Sequence, residues 1–478
     1  MITERDIRVR FAPSPTGHPH LGNLRSMVFN WLFARHNGGK FLMRIEDTDT
    51  VRSKPECVES ILYAMKWFDI ESDEPIVYQM ARVAEHRQAA YDLMERGLAY
   101  PCFCQPRDSE DVIFELEHGK GRKYSGACRD KPYTKEDLNR PHAIRFRLPD
   151  DLTHVTYNDL VLGDVTVTDV QLDDFVIIRR DGIPVYNFCV VVDDIHMRIS
   201  HVIRGQDHVS NTSKQILFYR ALGAMPPKFA HMPLILGPGG VKLSKRDADT
   251  AINEYISQGF LPEALINYFI RLGWSHGDQE IFTRQDLINF FTLEEVGKKG
   301  AIFDIKKLQW LNSHYIRAAS AQRLLLAIND MSIEKCEHVK LLWPAEKIMI
   351  LLDLYKQRAT TLVEIVEDIC ALAHDPEKLD ITLLKKWRTP GMMIMLKQFV
   401  QEVSDIKLFT HEILQERATA ISKERGEKLV TLAQPLRLAL TGGVTSPGVF
   451  ELLEILGKER ALCRISKLCE VIFARLSL

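Results

Sequence analysis

Few backbone courses are open to the stretch Arg10-Phe11-Ala12-Pro13-Ser14-Pro15-Thr16-Gly17-His18-Pro19-His20-Leu21-Gly22-Asn23. Three prolines and two glycines in fourteen residues fix φ and remove amide donors, so no regular element runs through it before about Leu21. Ahead of it, Ile7-Arg8-Val9 alternates as a strand does. After it, Leu24, Met27, Val28 and Trp31 recur at helical spacing. The stretch is therefore a strand-to-helix turn, and a helix N-terminus opening from such a turn presents unpaired N–H groups to an anion. Gly17 and Gly22 admit a large ligand close to the backbone, and His20 and Asn23 add donors beside it. That is a nucleotide phosphate site in outline, the alternative being a proline-rich loop with surface histidines.

A second motif bears on the choice. Directly after Gly237-Pro238-Gly239-Gly240 comes Val241-Lys242-Leu243-Ser244-Lys245-Arg246-Asp247. Cations and a hydroxyl this dense, on a glycine-hinged loop, suit closure over a triphosphate and neutralisation of charge moving onto pyrophosphate. Alone, such a run is a solvated loop.

Together the two motifs resemble the HIGH and KMSKS elements of class I aminoacyl-tRNA synthetases. The wording from Arg10 to Gly17, with Arg44-Ile45-Glu46-Asp47-Thr48-Asp49 further on, is similar to the glutamyl-tRNA synthetases in particular. The likeness continues in order through Gly97-Leu98-Ala99-Tyr100, Asp181-Gly182-Ile183-Pro184-Val185-Tyr186, Val202-Ile203-Arg204-Gly205, Lys307-Leu308-Gln309-Trp310-Leu311-Asn312 and Gln434-Pro435-Leu436-Arg437.

The composition is that of an ordinary globular protein of about three domains. A formal net charge of −2 does not advertise nucleic-acid binding, so an RNA surface has to be a local basic face balanced by acids elsewhere. Nine scattered cysteines and no basic, apolar leader point to a reducing compartment, and apolar runs such as Ile348 to Leu352 are far below the roughly 20 residues of a membrane span. The expectation is a cytoplasmic protein that does not enter a membrane.

In chain order, a β-α-β unit is expected first: a strand near Arg8 to Ala12, a helix from about Leu21 to His36, a stop at Gly38-Gly39, and a strand from Phe41 to Ile45. This is the start of a Rossmann-like α/β fold with a parallel sheet. Helical patterns cover Glu56 to Phe68 and Val83 to Arg96. Short strands follow at Ala143–Leu148, Val165–Val167 and Phe175–Ile178, an α+β insertion. The apolar run Tyr186 to Asp194 reads as a buried parallel strand and Ile199 to Ile203 as the next. Pro262 lies early in a helix that closes at Gly273. Beyond about Ser320 only helical patterns remain, and their leucine stripes read as core.

The resemblance implies a division of labour: residues 1–100 and 186–250 as two halves of the catalytic domain, 101–185 as an inserted connective domain binding the tRNA acceptor end, 251–320 as a stem-contact domain, and 321–478 as an all-α anticodon-binding region of the bacterial type. It assigns catalysis to His20, Asn23, Lys242, Ser244 and Lys245. ATP falls to Pro13, Thr16, Gly17, His20, Gly22, Asp207 and Lys245. Glutamate falls to Arg10, Ala12, Ser14, Glu46, Tyr186 and Arg204, with Arg204 separating glutamate from glutamine enzymes. Leaving two cations unpaired against an amide costs about 2–5 kcal/mol, which also favours glutamate. The family commonly has an acid where this chain has Gln206. Arg358 is a candidate for reading an anticodon base, against the plainer role of a surface arginine.

Cys102, Cys104 and Cys128 resemble the zinc knob of some glutamyl synthetases, with Asp130 or Tyr124 as fourth ligand; buried free thiols are the alternative. The implied activity is ATP-dependent, Mg²⁺-requiring activation of L-glutamate to glutamyl-adenylate and its transfer to the terminal adenosine of tRNA-Glu by a monomer, with tRNA-Gln left open as a second acceptor. The rivals are a glutaminyl-tRNA synthetase, disfavoured by Arg204 and the helical tail; a queuosine-modifying paralogue, which should be shorter; a tRNA-binding protein without catalysis; and a small-molecule adenylyltransferase.

Overall fold

The computed structural model describes residues 6–104, 124, 126–168, 173–241, 252–331, 334–387 and 389–476. The chain forms two compact units, Met1–Glu254 with Pro262–Ile305, and Tyr255–Leu261 with Lys306–Leu478.

The first unit opens with β1 (Arg8–Phe11), α1 (Leu21–His36) and β2 (Lys40–Ile45). The strands pair in parallel from Arg8↔Lys40 to Phe11↔Met43, and β3 (Val77–Tyr78) extends the sheet beyond β2. Eleven of the sixteen residues of α1 are buried, including Leu24, Met27, Val28 and Trp31, which explains why its apolar residues spill beyond one stripe. At the stop after α1, Gly38 takes φ +62° and Gly39 lies so close to Ile7 that a Cβ would come within 2.5 Å of the Ile7 Cβ.

Helices α2 (Pro55–Trp67) and α3 (Val83–Glu95) follow, then β4 (Ala99–Cys102), β5 (Ala143–Phe146), the hairpin β6 (His154–Asp159) and β7 (Gly163–Thr168), and β8 (Val176–Ile178). Strands β4, β5 and β8 form a small antiparallel sheet. Next come α4 (Tyr186–His196), β9 (His201–Gly205), α5 (Val209–Ala221) and β10 (Lys228–Met232). Here β9 and β10 pair in parallel across α5, a second β-α-β unit, and the hairpin joins them in the order β7-β6-β10-β9. The core packs α3, α4 and α5 against these strands, with Phe218 meeting Phe146 and Phe188 edge-on at 5.0 and 5.5 Å.

One expectation is overturned. Tyr186 to Asp194 is not a parallel strand but the body of α4. Its β-branched run satisfies local strand preference, yet nine residues exceed a usual buried strand, and in the helix the adjacent Asp193 and Asp194 serve two different partner sets. Asp193 accepts from Gln79, Arg82 and His86, while Asp194 accepts from Arg10, Arg44 and Tyr219.

Strands β11 (Ile235–Leu236) and β12 (Ala301–Ile302) form a short parallel pair, and α6 (Pro262–Arg271) and α7 (Arg284–Phe290) complete the unit.

The second unit, among its described residues, contains no strand. It runs from α8 (Ile305–Ala318) through Ala321–Asp330, Glu334–Leu342, Ala345–Tyr355 and Leu362–Leu372 to Pro390–Ser404, His411–Glu424, Leu429–Thr441, Val449–Leu456 and Lys458–Leu476. Leu452, Leu453, Ile465, Leu468 and Ile472 are buried, as their spacing implies. Arg464 donates to the carbonyls of Leu372 (3.0 Å), His374 (2.6 Å) and Leu440 (2.6 Å), filling acceptors at two helix ends. No described helix is long and apolar enough to cross a membrane.

Candidate functional site

A cavity of about 700 Å³ opens at the carboxyl ends of β1 and β9 and the N-terminus of α1, where open α/β sheets collect ligands. Its walls bring together residues far apart in the chain: Arg10, Ala12, Pro13, Ser14, Thr16, His20, Gly22, Asn23, Glu46, Tyr186, Arg204 and Asp207. Gly17 lies on the same turn, but does not line the cavity, and a Cβ there would meet open space. Lys242, Ser244 and Lys245 lie outside the described residues.

The anion end is built by the cap of α1. The Gly22 N–H donates to His20 Nδ1 (3.1 Å) and the His20 N–H donates to Asn23 Oδ1 (3.2 Å), a reciprocal capping box. An imidazole that accepts at Nδ1 carries its proton on Nε2. The missing side chain of Gly22 leaves the His20 ring in place, because a Cβ would sit 3.1–3.2 Å from it and the ring would have to give by a few tenths of an ångström.

The opposite end is a buried charge cluster. Strand alternation puts Arg8 and Arg10 on one face of β1, toward α4. The Arg10 Nε donates to Asp194 Oδ1 (3.2 Å), and Arg44 bridges Asp194 (2.5 Å) and Glu46 (2.9 Å). Burial works against the charge of Asp194, but Arg10 and Arg44 outweigh it and hold its carboxyl below the usual range. For Glu46 burial wins over Arg44 and raises it. Burial, with Glu46, pushes the Tyr186 phenol up to about 12.

Arg204, only 6 % exposed, is placed by His231, Thr212 and the His208 carbonyl. Its Nε donates to His231 Nε2 (3.1 Å) and its Nη2 to Thr212 Oγ1 (2.7 Å), while Nη1 is buried with no hydrogen-bond partner among the described residues. It makes no ion pair with Asp193 or Asp194, whose carboxylates are taken up by other partners. Burial lowers its pKa, the mark of a guanidinium that lacks a sufficient anion. His231, Thr212 and Asp194 as a partner of Arg10 carry no motif. The signal available for His231 was a histidine within the apolar strand Phe229-Ala230-His231-Met232. The cavity also takes in Asn30, His208 and Arg25, whose guanidinium burial pulls down to about 10.

Away from the cavity, Cys102, Cys104 and Cys128 bring their sulfurs within 4.8 Å of one another. Cys104 Sγ is 3.5 Å from Cys128 Sγ, and the Tyr124 hydroxyl is 3.5 Å from Cys102 and 3.8 Å from Cys104. Tetrahedral zinc with bonds of about 2.3 Å needs sulfurs about 3.8 Å apart, so this donor set fits the ion. Asp130 stands outside it, exposed and paired with Arg147 at 2.8 Å. Arg358 is exposed on the turn after Ala345–Tyr355, where its charge adds to burial in lowering the pKa of Arg437.

The family model of tRNA synthetases class I (E and Q), catalytic domain, matches residues 6–310, and that of the anticodon binding domain matches residues 316–469. A glutamate–tRNA ligase of Thermodesulfovibrio yellowstonii is 43% identical over 470 residues, 97% of this chain and 99% of its own. That of Geobacter sulfurreducens is 40% identical over 463 residues, 97% and 98% of the two chains. A crystal structure of a glutamate tRNA ligase from Elizabethkingia meningosepticum in complex with its amino acid superposes with a TM-score of 0.85 at 33% identity, covering 98% of this chain and 99% of that one.

Proposed function

The chain belongs to the class I tRNA synthetases of the E and Q family and, within it, to the glutamate–tRNA ligases; on that premise we propose how its residues divide the work of activating L-glutamate with ATP and passing it to tRNA-Glu. The observation that carries this reading is the Arg204 guanidinium, without an ion pair and with Nη1 unpartnered among the described residues, in the wall of a cavity shared with Arg10 and Tyr186. A side-chain carboxylate satisfies it, and an amide does so poorly.

In this scheme Glu46, with Ala12 and Ser14, receives the amino acid's ammonium group, and Arg10, Tyr186 and Arg204 receive its side-chain carboxylate. Its α-carboxylate then faces the α-phosphorus of ATP. Pro13, Thr16, Gly17, Gly22 and Asp207 hold the nucleotide. His20 Nε2–H and the Asn23 amide steady the phosphates, with the α1 N-terminus behind them. Lys242, Ser244 and Lys245 counter charge on the departing pyrophosphate. Mg²⁺ bound with ATP supplies further neutralisation of the phosphates. No side chain acts as nucleophile: attack by carboxylate oxygen forms glutamyl-adenylate, and the 2′-hydroxyl of the terminal tRNA ribose displaces AMP. Catalysis is positioning and electrostatics.

Cys102, Cys104, Cys128 and the Tyr124 hydroxyl would hold a structural zinc, in preference to Asp130. Residues 101–185, 251–320 and 321–478 take the acceptor end, stem and anticodon, with Arg358 at the last. We assign the protein to the cytoplasm as a monomer.

The test is charging of purified tRNA-Glu and tRNA-Gln with labelled glutamate or glutamine, with ATP and Mg²⁺, beside a Lys245→Ala control. Glutamate on tRNA-Glu, lost in the control, supports the scheme. Glutamate on both tRNAs assigns a second acceptor, and no glutamate on either overturns it.

A further inference from the structure

Arg204, His231 and Asp159 stand on three strands, β9, β10 and β6, that lie side by side in one sheet. His231 is directly opposite Arg204 in the parallel register, and Asp159 is opposite Phe229. His231 and Asp159 are almost wholly buried, and neither lines the cavity.

The hydrogen bonds along this line run one way. Asp159 Oδ1 accepts from the backbone N–H groups of Leu162 (2.8 Å), Val161 (3.0 Å) and His231 (3.3 Å), which fixes the carboxylate. Its Oδ2 faces His231 Nδ1 at 2.5 Å. A carboxylate can only accept, so the imidazole proton stays on Nδ1 and Nε2 is left as a lone-pair acceptor. That acceptor takes the Arg204 Nε–H at 3.1 Å. Thr212 Oγ1 takes Nη2, and the guanidinium plane is thereby fixed through two of its three nitrogens, with Nη1 left without a partner among the described residues.

We propose that His231, oriented by Asp159, is a positioning residue that holds the Arg204 guanidinium in the one rotation that engages a side-chain carboxylate. The idea rests on the role given to Arg204 above. It places the selectivity of the cavity partly in two residues that never touch the substrate. An acceptor at Nε2 is what the arrangement needs, whereas a donor there would face the Arg204 N–H and turn the guanidinium away.

Asp159→Asn tests this directly. Its side-chain oxygen keeps the three backbone donors, but its amide N–H₂ now faces His231 Nδ1 and drives the ring proton to Nε2. His231→Leu removes the acceptor, and His231→Gln restores one. The measurement is ATP–pyrophosphate exchange with tRNA present, giving KM for glutamate, glutamine and ATP, alongside thermal melting of each variant. We expect Asp159→Asn and His231→Leu to raise the glutamate KM by about tenfold or more, to narrow the preference for glutamate over glutamine, and to leave the ATP KM within about twofold. His231→Gln should stay nearer the parent. A glutamate KM unchanged in Asp159→Asn, or rising in step with the ATP KM, overturns the proposal. Should Asp159→Asn melt below the assay temperature, the contrast between His231→Leu and His231→Gln decides, and equal losses in both overturn it. Absence of glutamate-dependent exchange in the parent enzyme would instead bring down the role given to Arg204, and this inference with it.

Discussion

Arg10 Nε meets Asp194 Oδ1 at 3.2 Å with both side chains essentially out of solvent, and the same carboxylate also holds Arg44. Asp194 therefore sets one negative charge between two arginines, and the Arg10 Nη atoms make no hydrogen bond among the described residues. Replacing it by asparagine strands buried positive charge. Asp194→Asn should lower the stability of the first unit by roughly 3–5 kcal/mol and raise the glutamate KM, read from urea unfolding and from exchange kinetics.

Glu74 makes a two-pronged pair with Arg8 (2.8 Å to each oxygen) and a further bond to Lys40 (2.9 Å). The Arg8 hydrogen bonds, then that of Lys40, pull its carboxyl down to about 2. A depressed carboxyl stabilises the fold above its unfolded pKa of about 4.3, and this contribution fades as pH falls toward about 2. Glu74→Gln should therefore melt below the parent at pH 7, and the gap should close as the melts are repeated from pH 4 downward.

Gly22 has little room for a methyl group beside the His20 ring, which would have to shift to admit one. Gly22→Ala should displace His20 by a few tenths of an ångström and lower kcat for exchange by about tenfold or more, since small misplacements near reacting atoms are expensive. The melting temperature should hardly move, because alanine suits the first turn of a helix better than glycine.

The zinc assignment makes Tyr124 and Asp130 behave differently. Metal analysis should find one zinc per chain, retained in Asp130→Ala and lost in Cys104→Ser. Tyr124→Phe should weaken retention against a chelator by about tenfold or more, the usual scale for altering a zinc site. Equal retention by Tyr124→Phe and the parent would exclude the hydroxyl as ligand.

The turn from Arg8 to His36 was legible because prolines and glycines restrict the backbone whatever surrounds it, and the capping residues of α1 are local. The same holds for β2, α2 and α3, whose ends fall within a residue or two of their spacing-based limits. Tyr186 to Asp194 departs from its expected strand because a buried apolar run fits a strand or a helix alike, and its packing against α3 and α5 is not written in its local spacing. Strand β6 drew no expectation, although its burial alternates strictly, because its buried face ends on Asp159 and leaves only Val155 and Tyr157 as apolar signal. Of the site, the cavity walls from Arg10 to Asn23 and at Arg204 could be named in advance. Asp159 and His231 could not, since strand register across seventy residues is a tertiary fact.

Strand β1 meets the start of β9 through Arg8 and Ser200: the Ser200 N–H donates to the Arg8 carbonyl (2.9 Å), and the Arg8 N–H donates to Ser200 Oγ (2.7 Å). During synthesis the polar edge of β1 thus waits for a partner 192 residues downstream. At about 5–20 residues per second the delay is on the order of 10–40 s. For that interval the nascent β1-α1-β2 unit carries an open strand edge of the sort that pairs with other chains, so the amino-terminal fragment released by a premature stop near residue 190 would be more aggregation-prone than one extending past β10, in which Ser200 takes up the Arg8 backbone groups.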